Sequence, residues 1–344
     1  RSYQTAIDAK ISGKYGENGA MTQVLCLGEI LYDCLAQEAG KPIESVSNWI
    51  AYPGGAPANV ATALVKLGTS AGFIGCIGKD EAGQSLKQLL SEIGVNCQGI
   101  QEHPTAPTRQ VYVLRSVDGD RAFGGFGDLP PDQFADAYLN ADQLPIPLFE
   151  QAQFLVIGTL ELAYPITRKA IFRALELANT YNLKVLVDIN WRPKFWPDPE
   201  QAIPLIKQLW QGVDFVKLSR DEAEWLFGTV ESGAIAHQLA SVEGIFVTDG
   251  KGTISYHLND YEGKIPAFEM PVQDTTGAGD GFVAGLVHQL CQKGLNHFGD
   301  PSAVKHLITY ACAVGGLTTT KPGAISAQPS AEAVDSFLSG ISQE

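Results

Sequence analysis

The residues best suited to chemistry lie at 274–280, DTTGAGD, directly ahead of the helical pattern GFVAGLVHQLCQKG. Gly277, Ala278 and Gly279 are small enough for backbone N–H groups to approach an anion closely, and a helix N-terminus adds partial positive charge at that point. Such a turn can hold a transferring phosphoryl group. A helix dipole supplies only ~0.3–1 kcal/mol at an exposed site, so the larger part must come from several preorganised N–H donors in a dry pocket. Asp280 then has a use beyond capping. A carboxylate beside an anion hole can accept the proton of an attacking sugar hydroxyl, a contribution of ~10²–10⁴-fold. The plainer reading is an N-capping Asp after a glycine turn. The two glycines and the paired Thr275 and Thr276 weigh against it.

A second constellation spans residues 53–68, PGGAPANVATALVKLG. Gly54 and Gly55 allow a close backbone approach or a hinge, and Asn59 can both donate and accept toward hydroxyls. A polyhydroxy ligand suits that combination, although a tight turn and an ordinary helical Asn would have the same sequence. Asp33 follows the first strand-like run, near a carboxyl edge, where it is either a ligand residue or a turn former. Other phosphate motifs fail. Gly244, Gly250 and Lys251 imitate a P-loop, but the spacing is one too long and Gly252 stands where a hydroxyl residue is needed. Gly72, Gly75 and Gly78 do not match the dinucleotide fingerprint, and no serine nucleophile elbow occurs.

The elements that must position these residues alternate between short apolar runs and longer segments of helical period. VLCLGE, GFIGCIG, FLVIG, KVLVDIN, VDFVKL, GIFVTD and TISYH are strand-like, and PANVATALVKLG, EAGQSLKQLLSEIG, TRKAIFRALELANTY, 279–293 and 301–320 are helical. The pattern predicts an α/β fold with a mostly parallel sheet between helices. Pro57 in the first turn and Gly68 past the end bound one helix, whose Val60, Ala63, Leu64 and Leu67 share a face. Segments 31–52 and 106–127 break the alternation, with turn signals VDGDR and GGFGD. They are expected to form a small antiparallel sheet standing over the carboxyl edge as a lid. An exposed apolar face on it can pair with its twin in a homodimer.

A net charge of −14 opposes nucleic acid and anionic membrane as partners. The six cysteines form no CxxC pair and lie mostly in apolar runs, and the six histidines lack zinc spacing, so a reduced, cytoplasmic protein without a structural metal is expected. Residues 1–20 are polar and lack the apolar run of a signal peptide; 1–21 reads as a tag or loose extension, with one domain over 22–344. No apolar stretch reaches membrane-spanning length.

The two glycine motifs, in this order and more than two hundred residues apart, resemble the two signatures of the ribokinase-like, or PfkB, carbohydrate kinases. The resemblance covers about 22–335 and is closest to fructokinases through GGAPANVA, DINWRPKFW at 188–196 and ACAVGGLTTTKPGAI at 311–325. It implies a three-layer ribokinase-like fold with a β lid and in-line transfer from ATP to fructose. Asp280 is then the base, Gly277, Ala278 and Gly279 the anion hole, and Asp33, Gly54, Gly55 and Asn59 the sugar site. Asn190 and Arg192 would face phosphate or sugar, a role suited to a planar guanidinium. Glu222 would organise Mg2+ through water, with Ser219 where many relatives carry Asn. Thr248, Gly250 and Gly252 fall in the nucleotide loop, one residue shorter than usual. Asp274 and Thr276 match positions that help hold a monovalent cation, here K+. The resemblance leaves a 2-keto-3-deoxygluconate kinase, or less closely a ribokinase or nucleoside kinase, as relatives in play. A silent, kinase-shaped binding protein is the rival of another class.

Overall fold

A computed structural model describes residues 21–116 and 121–341. The expected extension at 1–20 and most of the VDGDR turn lie outside the described residues.

Nine strands form the main sheet, in the order β13-β12-β11-β10-β9-β8-β1-β4-β5. In it lie β1 (Val24–Leu27), β4 (Ala71–Gly78), β5 (Asn96–His103), β8 (Phe154–Ile157), β9 (Lys184–Asp188), β10 (Phe215–Ser219), β11 (Gly244–Thr248), β12 (Thr253–Leu258) and β13 (Tyr261–Pro266). From β11 through β5 all pairs are parallel; β12 and β13 add an antiparallel edge. A parallel sheet needs cover on both faces. The residues of β1 show how it is met. Val24 and Cys26 face one core, with the helices Ala56–Lys66, Ala278–Lys293 and Pro301–Thr318. Leu25 and Leu27 face the other, with Pro165–Tyr181 and Ala202–Lys207. All four are fully buried, which explains why β1 reads as an unbroken apolar run.

Helix Ala56–Lys66 starts and stops where expected, with Pro57 in its first turn and Gly68 at φ +91° beyond its C-cap Leu67. Its four predicted core residues are all buried. Ala58, Asn59, Ala61 and Thr62 are buried as well, because the helix is covered both by the sheet and by the helix Ala278–Lys293. Glycines set the depth of that helical layer. A Cβ on Gly281 would stand 2.8 Å from Thr318 Oγ1, and one on Gly285 would stand 2.9 Å from Ala311 Cα. Only hydrogen lets helix Pro301–Thr318 come this close.

The two irregular segments do pair with each other. They build a four-stranded sheet, β3-β2-β6-β7, from β2 (Leu31–Ala36), β3 (Trp49–Gly54), β6 (Gln110–Arg115) and β7 (Arg121–Gly125). One expectation is corrected: the sheet is mixed, since the central pair β2–β6 runs parallel while β2–β3 and β6–β7 are antiparallel. The two hairpin-like halves are joined through a long crossover, and local turn signals say nothing about how separate halves align.

Candidate active site

The parallel strands β1, β8, β9, β10 and β11 end side by side, so the residues following them share one edge. Glu29, Glu161, Asp188, Ser219 and Thr248 are set along it by strand register. This is where doubly wound sheets place ligands, and β1 is the switch point from which the order departs in both directions.

Asp280 enters the site from above as the third residue of helix Ala278–Lys293. Gly277 caps that helix at φ +80°, a left-handed conformation, and a Cβ there would stand 2.8 Å from Ala324 Cβ. The N–H of Ala278 already reaches Thr275 O at 3.3 Å. Gly279 and Asp280 occupy the next positions, where a helix offers no carbonyl partner, so their amides are the open donors of the turn. The loop before it is held by Asp274, 9% exposed. Its Oδ1 accepts from Thr276 N at 3.0 Å and Thr276 Oγ1 at 2.7 Å, and its Oδ2 accepts from Gly323 N at 3.0 Å.

The two glycine motifs meet through one hydrogen bond: Asn59 Nδ2 donates to Asp280 Oδ2 at 2.7 Å. Burial raises the Asp280 pKa and Glu29 adds to the rise, while the Asn59 bond and the charges of Lys217 and Arg192 oppose it. Asn59 is itself pinned, its carbonyl accepting from Gln328 Nε2 at 2.7 Å. Gly55, at φ +105°, precedes this helix, and a Cβ there would lie 2.5 Å from Glu29 O. Gly54 is the last residue of β3, and a Cβ on it would stand 2.9 Å from Asp33 Oδ2. Asp33, Gly54, Gly55, Asn59 and Asp280 thus form one continuous wall.

The other expected residues lie further along the edge. Asn190, at φ +40°, and exposed Arg192 follow β9; Arg192 Nη1 donates to Trp191 O at 3.1 Å. Ser219 caps helix Arg220–Phe227, its hydroxyl accepting from Glu222 N at 3.2 Å. Glu222 is not the solvated surface residue that is the plain alternative. It is 7% exposed, and its two oxygens accept from Ser219 N at 2.7 Å and Trp191 N at 2.6 Å, tying the β9 and β10 loops together. Thr248 donates to Leu218 O at 3.3 Å, and Gly250 at φ +49° lies in the turn from β11 to β12 that Gly252 N closes onto Asp249 O at 2.6 Å. The residues expected in the nucleotide loop therefore sit beside Ser219 but across the edge from Asp33.

Sequence reasoning passed over four buried polar residues here. Lys217 donates to Asp188 Oδ1 at 3.0 Å and Oδ2 at 3.2 Å, with both side chains below a tenth exposed. Burial, Glu222 and Asp280 push the Asp188 carboxyl up to about 6 against the attraction of Lys217. Glu29 Oε1 accepts from Ala56 N at 2.8 Å, and its carboxyl lies beside that of Glu161. Both pKa values are raised, first by burial, and that of Glu161 also by Glu29. The signal for the first pair was a charge inside the apolar run FVKLS.

Residues 21–331 match the model of the pfkB family carbohydrate kinases. The chain belongs to that family. The kinase is 33% identical over 326 residues to probable fructokinase-2 of Arabidopsis thaliana, spanning 94% of this chain and 97% of the relative. It is 34% identical over 309 residues to fructokinase-1 of Zea mays, spanning 89% and 94%. Among solved structures it resembles a fructokinase with bound ATP from Xylella fastidiosa, with a TM-score of 0.85 and 29% identity over 94% of this chain and all of the other. A fructokinase double mutant from Vibrio cholerae in a form with fructose, ADP and potassium ion bound gives 0.79 and 26%, over 94% and 100%. The kinase thus has the three-layer fold and the sugar-kinase membership expected from its glycine motifs.

Proposed function

We propose that the kinase transfers the γ-phosphoryl group of ATP to the 6-hydroxyl of D-fructose, with Asp280 as the base. The observation that carries this reading is the Asn59–Asp280 bond, which joins a hydroxyl-binding helix start to an anion-binding one. Asn59 occupies Oδ2 and leaves Oδ1 to receive the hydroxyl proton. The sugar oxygen forms its bond to the γ-phosphorus as the bond to the ADP oxygen breaks, and the Gly279 and Asp280 amides stabilise the charge in flight. A raised pKa makes Asp280 a stronger base than a solvent-exposed aspartate. Asp33 and Gly54–Asn59 hold the sugar, and Asn190 and Arg192 the phosphate or sugar oxygens. Ser219, Thr248, Gly250 and Gly252 line the ATP side. The ATP bound by the Xylella relative and the fructose and ADP bound by the Vibrio one support both assignments.

Magnesium fits beside Glu222 through water: a carboxylate has about four acceptor sites, backbone N–H groups engage each oxygen once, and Mg2+ keeps most of its waters. It would neutralise phosphate charge. Asp274 and Thr276 are assigned to a monovalent cation site for K+; replacing potassium by tetramethylammonium should lower turnover, and equal rates would remove this assignment. The four-stranded sheet is the lid, with Gly54–Gly55 at its root. Paired residues Ile50, Leu35, Val113 and Phe123 form an apolar row across one of its faces, with Ile50 and Phe123 41% and 42% exposed. A homodimer through that row is expected by light scattering, and a monomer at micromolar concentration counts against it. The six free thiols agree with a reducing cytoplasm. No helix among the described residues is long and apolar enough to cross a membrane.

The decisive assay is ADP release with fructose, glucose, ribose, 2-keto-3-deoxygluconate or adenosine. Turnover should be confined to fructose and fall ~10²–10⁴-fold in Asp280→Asn. Turnover with the keto-acid alone would reassign the substrate, and none with any acceptor would favour a silent binding protein.

A further inference from the structure

Lys217 lies in the middle of the sheet, on a strand whose Phe215, Val216 and Leu218 are fully buried. Burying a cation there costs several kcal/mol unless it is paired, and Asp188 supplies the pair. Packing alone would be met as well by an apolar residue. A second observation shows where the ammonium is aimed. A Cβ on Gly279 would stand 2.8 Å from Lys217 Nζ. In a helix the Cβ vector tilts toward the N-terminus, so Nζ lies on the N-terminal side of the first turn, where the Gly279 and Asp280 amides open. Gly279 is therefore required by the lysine as much as by any phosphate. The hydrogen bonds of Lys217 among the described residues both go to the two oxygens of Asp188, which lies behind it on β9.

We propose that Lys217 is a catalytic residue, the fixed cation of the anion hole, which holds the transferring phosphoryl group together with the amides of Gly279 and Asp280, while Asp188 is its positioning residue. This rests on the reading of 277–280 as the phosphoryl site. Lys217 stays protonated throughout; the hydroxyl proton goes to Asp280 and the electron pair of the broken P–O bond to ADP. Electrostatics agree: burial alone would lower the lysine's pKa, but Asp188, Glu222 and Asp280 outweigh it and raise it. The charged groups facing Asp280 come from separate elements: Lys217 on β10, Arg192 after β9 and Glu29 after β1.

The test compares Lys217→Gln, which keeps a donor for Asp188 but loses the charge, with Asp188→Asn, which keeps the charge and one acceptor. A purely structural pair predicts similar losses. A working cation predicts that K217Q loses ~10²–10³-fold in kcat, the size of one preorganised anion-hole donor, and that D188N loses at least ten-fold less. Binding gives a readout that stability does not move: ADP affinity should be similar in wild type and K217Q, whereas the tightening produced by adding aluminium fluoride and sugar should vanish in K217Q. The acid limb of kcat should also move to higher pH, because Asp280 loses a cation that favours its ionised form. If K217Q folds poorly, the double variant Lys217→Met with Asp188→Leu takes its place, with the same loss expected. Equal losses in K217Q and D188N, or retained tightening in either charge-free variant, would overturn the proposal. Asp280→Asn keeps the two readings apart: its full activity would refute the base, while the K217Q and D188N comparison would still report on the lysine.

Discussion

Two pairs of polar side chains are buried at the same sheet edge, and they are neutralised in opposite ways. At the ends of β9 and β10, Asp188 meets a lysine. After β1 and β8, Glu29 meets another glutamate, and burial raises both pKa values, which favours protonation in place of a cation. The first pair lies against the 277–280 turn proposed to bind the phosphoryl group, where fixed positive charge is useful. The second lies under the wall proposed to face the sugar, where Glu29 holds Ala56 N and so the start of the helix bearing Asn59. Protonation of that pair lessens the repulsion by which Glu29 raises the Asp280 pKa. Burial creates the same need in both places, and the ligand expected nearby decides how it is met.

Breaking the charged pair should cost the most. Asp188→Leu leaves a buried ammonium without a partner and should lower unfolding free energy by about 3–5 kcal/mol in urea titrations; a loss below about 1 kcal/mol would mean that water reaches Lys217. Removing the anchor of the second pair is expected to cost less. Glu29→Ala leaves Ala56 N–H and Glu161 without their partner, about 1–3 kcal/mol, with a fall in kcat smaller than that of Asp280→Asn because Asn59 is displaced rather than deleted. The smallest effect sharpens the comparison most. A raised folded pKa means that the pair's contribution is complete below the unfolded carboxyl value, about 4.3, and is lost as pH rises through the folded value. Glu161→Gln has no proton to lose at that position. Its melting temperature relative to wild type should therefore climb between pH 5 and 9, and a constant difference would show that the pair does not titrate in that range.

Much of the fold was legible because the signals are local. The apolar runs of β1, β4, β8, β9, β10 and β11 have no other use than strands buried on both faces, and Pro57 and Gly68 mark the ends of their helix by backbone chemistry alone. β5, NCQGIQEH, was harder to read: it is an edge strand, half exposed, so its composition carries no apolar run. The parallel pairing of β2 with β6 was illegible for a different reason, since it joins segments far apart in the chain.

At the site, the chain itself announced the residues proposed to touch ligand. Gly277, Gly279 and Asp280 form a contiguous turn, and Gly55 and Asn59 another, because binding a phosphoryl group or a sugar demands small residues and donors at short spacing. What supports them was settled only by tertiary structure. Lys217 and Asp188, Glu29 and Glu161, and Gln328 beneath Asn59 come from separate strands and loops, and as single residues each has an ordinary reading. Sequence spacing carries information only where the chain is its own neighbour; a buried charge finds its partner across a sheet, and the need for that partner arises only once folding has taken the water away.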